Sequence, residues 1–218
     1  MTYGTPSTKG SLILKVGCSL QEYGRAKELE ERRLFLYGEI TAIDDQDGMI
    51  LDTVSMTGSL AEQILNVNRE DNSLPLEERK PIWLYINSPG GDVTEGFALV
   101  SVIKLSKTPV YTINVGEWSS MAFLIGIAGK RRFSLPSSIF MMHEPSGLTL
   151  GKFSDMADKV EFNKRFNDLI IKKHVLECSR MTPGKYNGVS KKNFYMLPED
   201  ALRYGFIDEI VTDINTIL

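Results

Sequence analysis

The sequence predicts an α/β fold with a mostly parallel sheet and crossover helices. In the central stretch, continuous apolar segments alternate with segments of helical spacing, and strand–helix–strand–helix in one run implies right-handed crossovers. The segment Ile82–Ile86 is continuously apolar, as a strand covered on both faces is. Neither a repeat nor a linker interrupts the 218 residues. One domain is therefore expected over residues 23–218, after an N-terminal arm at 1–22.

The arm is polar and rich in Gly, Ser and Thr, with one apolar patch at 12–16. Arg33-Leu-Phe-Leu-Tyr37 is a compact strand signal closed by Gly38. Helical spacing runs over about 50–67 through Leu51, Val54, Leu60, Ile64 and Leu65. A charged turn with two prolines follows at 69–80. Ile82-Trp-Leu-Tyr-Ile86 reads as a buried strand, Asn87-Ser-Pro-Gly-Gly91 as a tight loop and 93–105 as a helix. Strand 110–115, helix 119–127 and strand 139–142 complete the alternation, the last ending at His143. Residues 153–178 read as one long helix stopped near Pro183. Its apolar residues cover more than half of the circumference, whereas a one-sided helix needs a stripe of only about 100°. That leaves two readings open: a contact with another subunit, or burial on two sides within the chain. Pro198 at the start and Gly205 after the end frame a short helix, and 206–211 reads as a final strand.

Hydrophobic residues make up 42% and charged residues 24%, and the formal net charge is −3. This is soluble globular composition, without the clustered cations that nucleic-acid binding leans on. No segment is long and apolar enough for a bilayer span, and the first residues make a poor signal peptide. Cys18 and Cys178 lie outside any CxxC pattern and are too few for a disulfide scaffold, which favours a reducing compartment, cytoplasmic or equivalent.

Two histidines bound the search for a base that works near neutral pH. His174 sits in the long helix among Lys172, Lys173 and Glu177 and reads as a polar helix residue. His143 follows a buried strand, where sheet proteins place reactive groups, though a structural histidine is the alternative. Ser119 and Ser120 stand between a strand and an apolar helix, where the next backbone N–H groups can hold a developing oxyanion. The alternative is helix capping: Ser119 caps while Ser120 reacts. There is no GxSxG, so this is not the nucleophile elbow of the α/β-hydrolases. In the Pro89-Gly90-Gly91 loop, two glycines let the backbone approach a substrate closely. A phosphate loop is disfavoured, since neither GxGxxG nor GxxxxGK[ST] is present.

Together these pieces resemble the ClpP family of peptidase subunits. Tyr85-Ile-Asn-Ser-Pro-Gly-Gly91 is similar to the family's oxyanion loop, and Ser119-Ser-Met121 to its nucleophile turn, usually Ala-Ser-Met. Gly129-Lys-Arg131, Leu135-Pro136 and Met141-Met-His-Glu-Pro145 resemble the run ending in the catalytic histidine, and 201–208 the C-terminal signature. The resemblance covers about residues 25–212. It implies the ClpP/crotonase fold and the long helix as a protruding handle, in a region at about 146–180. It also implies heptameric rings stacked into a tetradecamer, of one or several kinds of chain, and an AAA+ unfoldase feeding unfolded polypeptides to an inner chamber. Ser120 would be the nucleophile and His143 its base, with the N–H groups of Gly91 and Met121 as oxyanion hole. No cofactor is expected.

One position departs from the family. Its third catalytic residue is an aspartate in an Arg-Asp-x-Phe run, which here reads Lys191-Lys192-Asn193-Phe194. Lys192 stands at the aspartate's place, and a cation cannot orient an imidazole. Asn193 could serve after a one-residue slip, or Asp92, Glu117 or Glu144 could approach His143 in space. Ser190 and Lys191 replace the usual inter-ring Asp–Arg pair. The rival readings are a non-catalytic ring subunit, a crotonase-type acyl-CoA enzyme and a Ser–Lys peptidase.

Overall fold

The computed structural model describes residues 29–41, 55–146 and 151–218. The arm and the first part of the helix expected from residue 50 lie outside the described residues. Seven strands form one sheet: β1 (Arg33–Tyr37), β2 (Ile82–Ser88), β3 (Val110–Ser119), β4 (Arg131–Ser134), β5 (Ile139–Met142), β6 (Phe194–Met196) and β7 (Glu209–Ile210). Its order is β1-β2-β3-β4-β7, with β5 on β3 and β6 on β5. Every pairing is parallel except β5–β6. The sequence signals missed β4 and β6, strands of four and three residues. The expected final strand shrinks to Glu209–Ile210.

Helices α1 (Met56–Glu70), α2 (Val93–Leu105) and α3 (Met121–Gly126) pack in succession, and their apolar faces join the main core with the sheet. Ser55 starts α1 by accepting from the Gly58 N–H, and Asp92 starts α2 by accepting from the Glu95 N–H at 2.8 Å. A second, aromatic cluster gathers around Tyr85, Ile113 and Phe133. Phe35 stacks on Tyr85, and Trp83 meets Tyr111 edge-on. The C-terminal turn reaches this cluster through Ile217, whose carbonyl accepts the Tyr85 hydroxyl hydrogen.

Strand β3 is longer than its sequence signal, and the extension positions the site. Its first half pairs with β4 over Tyr111 to Asn114, and its last three residues pair with β5. Between them the register against β2 shifts from Ile86↔Asn114 to Ser88↔Trp118, so β3 bulges there. Asn114 holds the bulge: its Oδ1 accepts from the Gly116 N–H and its Nδ2 donates to the Ile139 carbonyl. The bend lets one strand serve two neighbours and brings the end of β5 beside its own end.

The long helix is present but not uniform. It runs as α4 (Phe153–Phe166), a π-helical turn (Asn167–Ile171) and α5 (Lys172–Glu177). No residue of α4 is buried, and Phe153, Phe162 and Leu169 are exposed. Of the two readings of its broad apolar arc, burial on two sides within the chain is therefore the one the structure contradicts. The lower end is anchored, and His174, read from sequence as a polar helix residue, sits in the core there. It is buried, its Nε2 donates to the Leu124 carbonyl at 2.8 Å, and Cys178 Sγ lies 3.5 Å from its Nδ1. Helix α6 (Pro183–Val189) and α7 (Pro198–Tyr204) flank β6.

Candidate active site

Ser119 pairs with Met141 across β3 and β5, so Ser120 and His143 emerge side by side where the two parallel strands end. The Ser120 N–H donates to the Met141 carbonyl at 2.9 Å, which ties the turn to β5. Below it Trp118 is buried and packs edge-on against Phe140. The result is a hydrogen bond of 2.8 Å between His143 Nε2 and Ser120 Oγ.

Ser120 has φ 53°, ψ −119°, a left-handed backbone that side-chain-bearing residues rarely adopt. It stands at the N-cap of α3, yet its hydroxyl makes no capping bond. Nor does Ser119 cap, contrary to the expectation from sequence. It ends β3, buried, and its hydroxyl donates to the Glu117 carboxylate at 2.5 Å. The strain turns the Ser120 hydroxyl towards His143 and away from its own helix.

The glycine loop closes over this turn. Gly90, at φ 99°, lies so near that a Cβ there would sit 2.7–2.8 Å from Ser119 O, Met121 N and Ser120 Cβ. Its N–H is already used, donating to Ser88 Oγ at 3.1 Å. Gly91 forms a parallel bridge with Ile40, in which the Gly90 carbonyl accepts from Ile40 N–H and Asp92 N–H donates to the Ile40 carbonyl. Both bonds belong to Gly91's neighbours, so its own N–H stays out of the bridge. The Met121 N–H is the first of α3 and has no intrahelical acceptor. Two donors thus flank Ser120 without an acceptor among the described residues. Ile40 and Ser88 hold this loop, and Ile40 could not be found in the sequence: it lies 51 residues before Gly91 and acts only through its backbone.

No carboxylate reaches the other side of His143 among the described residues. Asp92 caps α2, Glu117 holds Ser119, and Glu144 joins through its N–H, which donates to the Ser190 carbonyl at 2.7 Å. Phe194 pairs with Met142, which fixes the register of the segment that looked insecure in sequence. Lys192 and Asn193 are both exposed, and neither side chain makes a hydrogen bond to His143. A cleft of about 740 Å³, lined by Lys104, Arg132, Cys178 and Asp208, includes none of these site residues. Volume therefore does not locate this chemistry; the strand ends do.

A serine held in a strained turn, a histidine on its hydroxyl and two free N–H groups beside it form a constellation for acyl transfer. Comparison with known proteins agrees on the kind of chemistry. The family model described as Clp protease matches residues 27–213. The chain is 36% identical over 189 residues to the ATP-dependent Clp protease proteolytic subunit 2 of Prochlorococcus marinus subsp. pastoris, covering 84% of this chain and 83% of that one. It is equally similar, 36% over 186 residues, to the ATP-dependent Clp protease proteolytic subunit 3 of a Synechococcus species, with 84% and 83% covered. A match of this length takes in every element from β1 to β7, and with it the chain belongs to the Clp protease family.

Proposed function

We propose that the chain is a subunit of a ring-shaped, self-compartmentalised serine endopeptidase that degrades unfolded polypeptides delivered by an ATP-driven unfoldase. The observation that carries the catalytic part is the 2.8 Å bond from Ser120 Oγ to His143 Nε2 beside two unpaired N–H groups. In this reading Ser120 Oγ attacks the peptide carbonyl carbon while His143 Nε2 accepts its proton. The N–H groups of Gly91 and Met121 hold the tetrahedral oxyanion. The intermediate collapses, Nε2 returns the proton to the leaving amine, and water then releases the acyl group by the same route. Family kinship and the exposed apolar residues of α4 support ring assembly. Names of relatives that carry "ATP-dependent" support the unfoldase, and the aromatic face of Trp83 and Tyr85 is a candidate for its docking. A free Cys178 thiol suits a reducing, cytoplasmic setting.

Hydrolysis of short fluorogenic peptides tests the catalytic part. Cleavage should be slow in wild type and absent in Ser120→Ala; an unchanged rate in that variant removes the assignment. One specific observation favours a second reading, the non-catalytic ring subunit. The imidazole has no orienting carboxylate among the described residues, and Lys192 stands where the family has its aspartate. Wild type that shows no cleavage above the Ser120→Ala background would favour it.

A further inference from the structure

The cleft of about 740 Å³ lies at the edge of the sheet away from the reacting pair. Pro109 and Val110 line it where β3 begins, and Lys130 and Arg132 where β4 begins. Ser120 and His143 stand at the opposite, carboxyl ends of the strands. Three helix ends complete the wall: Lys104 from α2, Glu177 and Cys178 from α5, and Leu202 and Gly205 from α7. No aromatic side chain lines it among the described residues.

The charge of the cleft runs against that of the chain. The whole sequence has 25 basic and 28 acidic residues. In the cleft, Lys104, Lys107, Lys130, Arg132 and Arg180 face only Glu177 and Asp208. Both carboxylates are already held. Glu177 pairs with Lys104 at 3.2 Å, and Asp208 accepts from Arg132 Nη2 at 2.8 Å and Nε at 3.1 Å. Lys107, Lys130 and Arg180 are exposed and form no ion pair among the described residues. Their backbones are fixed. The Lys107 N–H donates to Asn68 Oδ1 at 2.9 Å, and those of Lys130 and Arg180 donate to the Val110 and Tyr204 carbonyls at 2.7 Å. A helix carboxyl end disfavours anions, but two of the ends here are covered. The Cys178 carbonyl accepts from Arg132 Nη1, and the Leu202 carbonyl from Arg180 Nη2. The positive field reaches Cys178: burial pushes its thiol up, while Lys104 and Arg132 pull it down.

We infer that this cleft binds a phosphate-chain anion, held by Lys107, Lys130 and Arg180. Unpaired cations fixed around one opening repel one another, and a compact polyanion relieves that repulsion. A phosphate chain brings several charges in a short length, and its oxygens accept charge-assisted hydrogen bonds from guanidinium and ammonium groups. With no aromatic face to stack a base, the cleft takes the phosphates and ignores what they are attached to. Occupancy ties Arg180, just beyond the protruding helix, to the starts of β3 and β4. Binding is independent of peptidase activity.

The test is isothermal titration calorimetry of wild-type protein with sodium tripolyphosphate at low ionic strength. Saturable binding that weakens with added salt is expected. Lys107→Gln with Lys130→Gln should weaken it at least about tenfold. Lys152→Gln with Lys159→Gln removes the same charge from the protruding helix and should leave it unchanged. ATP should bind as tightly as tripolyphosphate, and hexaglutamate far more weakly. Tripolyphosphate should also slow alkylation of Cys178 by iodoacetamide, read by mass spectrometry of its peptide. No saturable binding, or an equal loss in both double variants, overturns the inference. So does binding that leaves Cys178 alkylation unchanged, because the anion then sits elsewhere. Markedly tighter binding of ATP would overturn the indifference to the base, and hexaglutamate binding as tightly would reduce the cleft to a general basic patch.

Discussion

Lys192 carries the clearest consequence of any single residue. The His143–Ser120 bond needs Nε2 free to accept a proton, so the ring's own proton must sit on Nδ1. With no acceptor there among the described residues, neither the tautomer nor the imidazolium is stabilised. Losing the third member lowers rates by about 10⁴ in well-studied proteases, about 5.4 kcal/mol. Lys192→Asp should therefore raise peptide hydrolysis by at least about 100-fold if the turn before β6 carries position 192 to Nδ1. An unchanged rate would show that it does not. His174 makes a prediction of a different kind. Burial holds its imidazole below the ordinary value of 6.5, against a smaller upward pull from the Leu124 carbonyl. The unfolded chain then binds a proton that the folded chain resists. This group's contribution to stability is present above pH 6.5 and is lost as pH falls below it. Urea midpoints taken between about pH 7 and pH 5 should fall less steeply in His174→Gln than in wild type. Equal slopes would assign the pH dependence elsewhere.

The elements that matter are those that bend or close over one another. Strand β3 changes partner at its bulge, and without that change β5 would not reach Ser120. The glycine loop sits so tightly on the nucleophile turn that a methyl group has no room: at Gly90 it would press on Ser119 O, Ser120 Cβ and Met121 N at once. Gly90→Ala also places a side chain at φ 99°. The variant should push apart the turn that offers the Met121 N–H. Loss of one oxyanion donor lowers rates by about 10²–10³, so peptidase activity should fall at least that far while far-ultraviolet circular dichroism stays close to wild type. Full activity in Gly90→Ala would show that the loop is looser than its geometry and would weaken the oxyanion assignment. A second clamp secures the other end of the sheet. The buried Asp71 accepts from Arg32 at 2.6 and 2.8 Å and from Thr108 at 2.8 Å, which ties the entry of β1 to the approach to β3.

For the whole molecule, the apolar surface of the protruding helix asks for a partner. Phe162 is 61% exposed and Leu169 60%, while Ile171 and Val175 on the same rod are buried. Exposed apolar side chains gathered on one element, rather than scattered singly, mark an interaction surface. A second copy of the chain is the occupant that kinship with the Clp proteases favours. Wild type should elute as a multi-subunit species by size exclusion with light scattering, and Phe162→Ser with Leu169→Ser should shift it towards smaller species. A wild-type monomer at high concentration would count against assembly. Ser190 is buried and its carbonyl is used by Glu144, so it offers no ion pair between rings. Single rings in the wild-type profile would fit that loss.

The sequence by itself determined the alternation that makes the sheet parallel, and it singled out Ser120, His143 and the Gly90-Gly91 loop as candidates. These signals are local: a continuous apolar run, a proline and glycine at helix ends, a reactive residue beside a strand end. It also exposed the missing carboxylate at 192. Tertiary structure decided what depends on residues far apart in the chain. Which glycine offers its N–H was settled by Ser88 and by the backbone of Ile40. Which serine hydroxyl lies against His143 was settled by the backbone strain at Ser120 and by Glu117 on Ser119. That the polar His174 is buried was decided by Leu124, 50 positions away, which presents a carbonyl to it. Short strands β4 and β6 carry too few residues to show a period, and only their neighbours in the sheet make them strands. Periodicity is a property of one segment, whereas a free donor or a strained backbone is a property of everything packed around it.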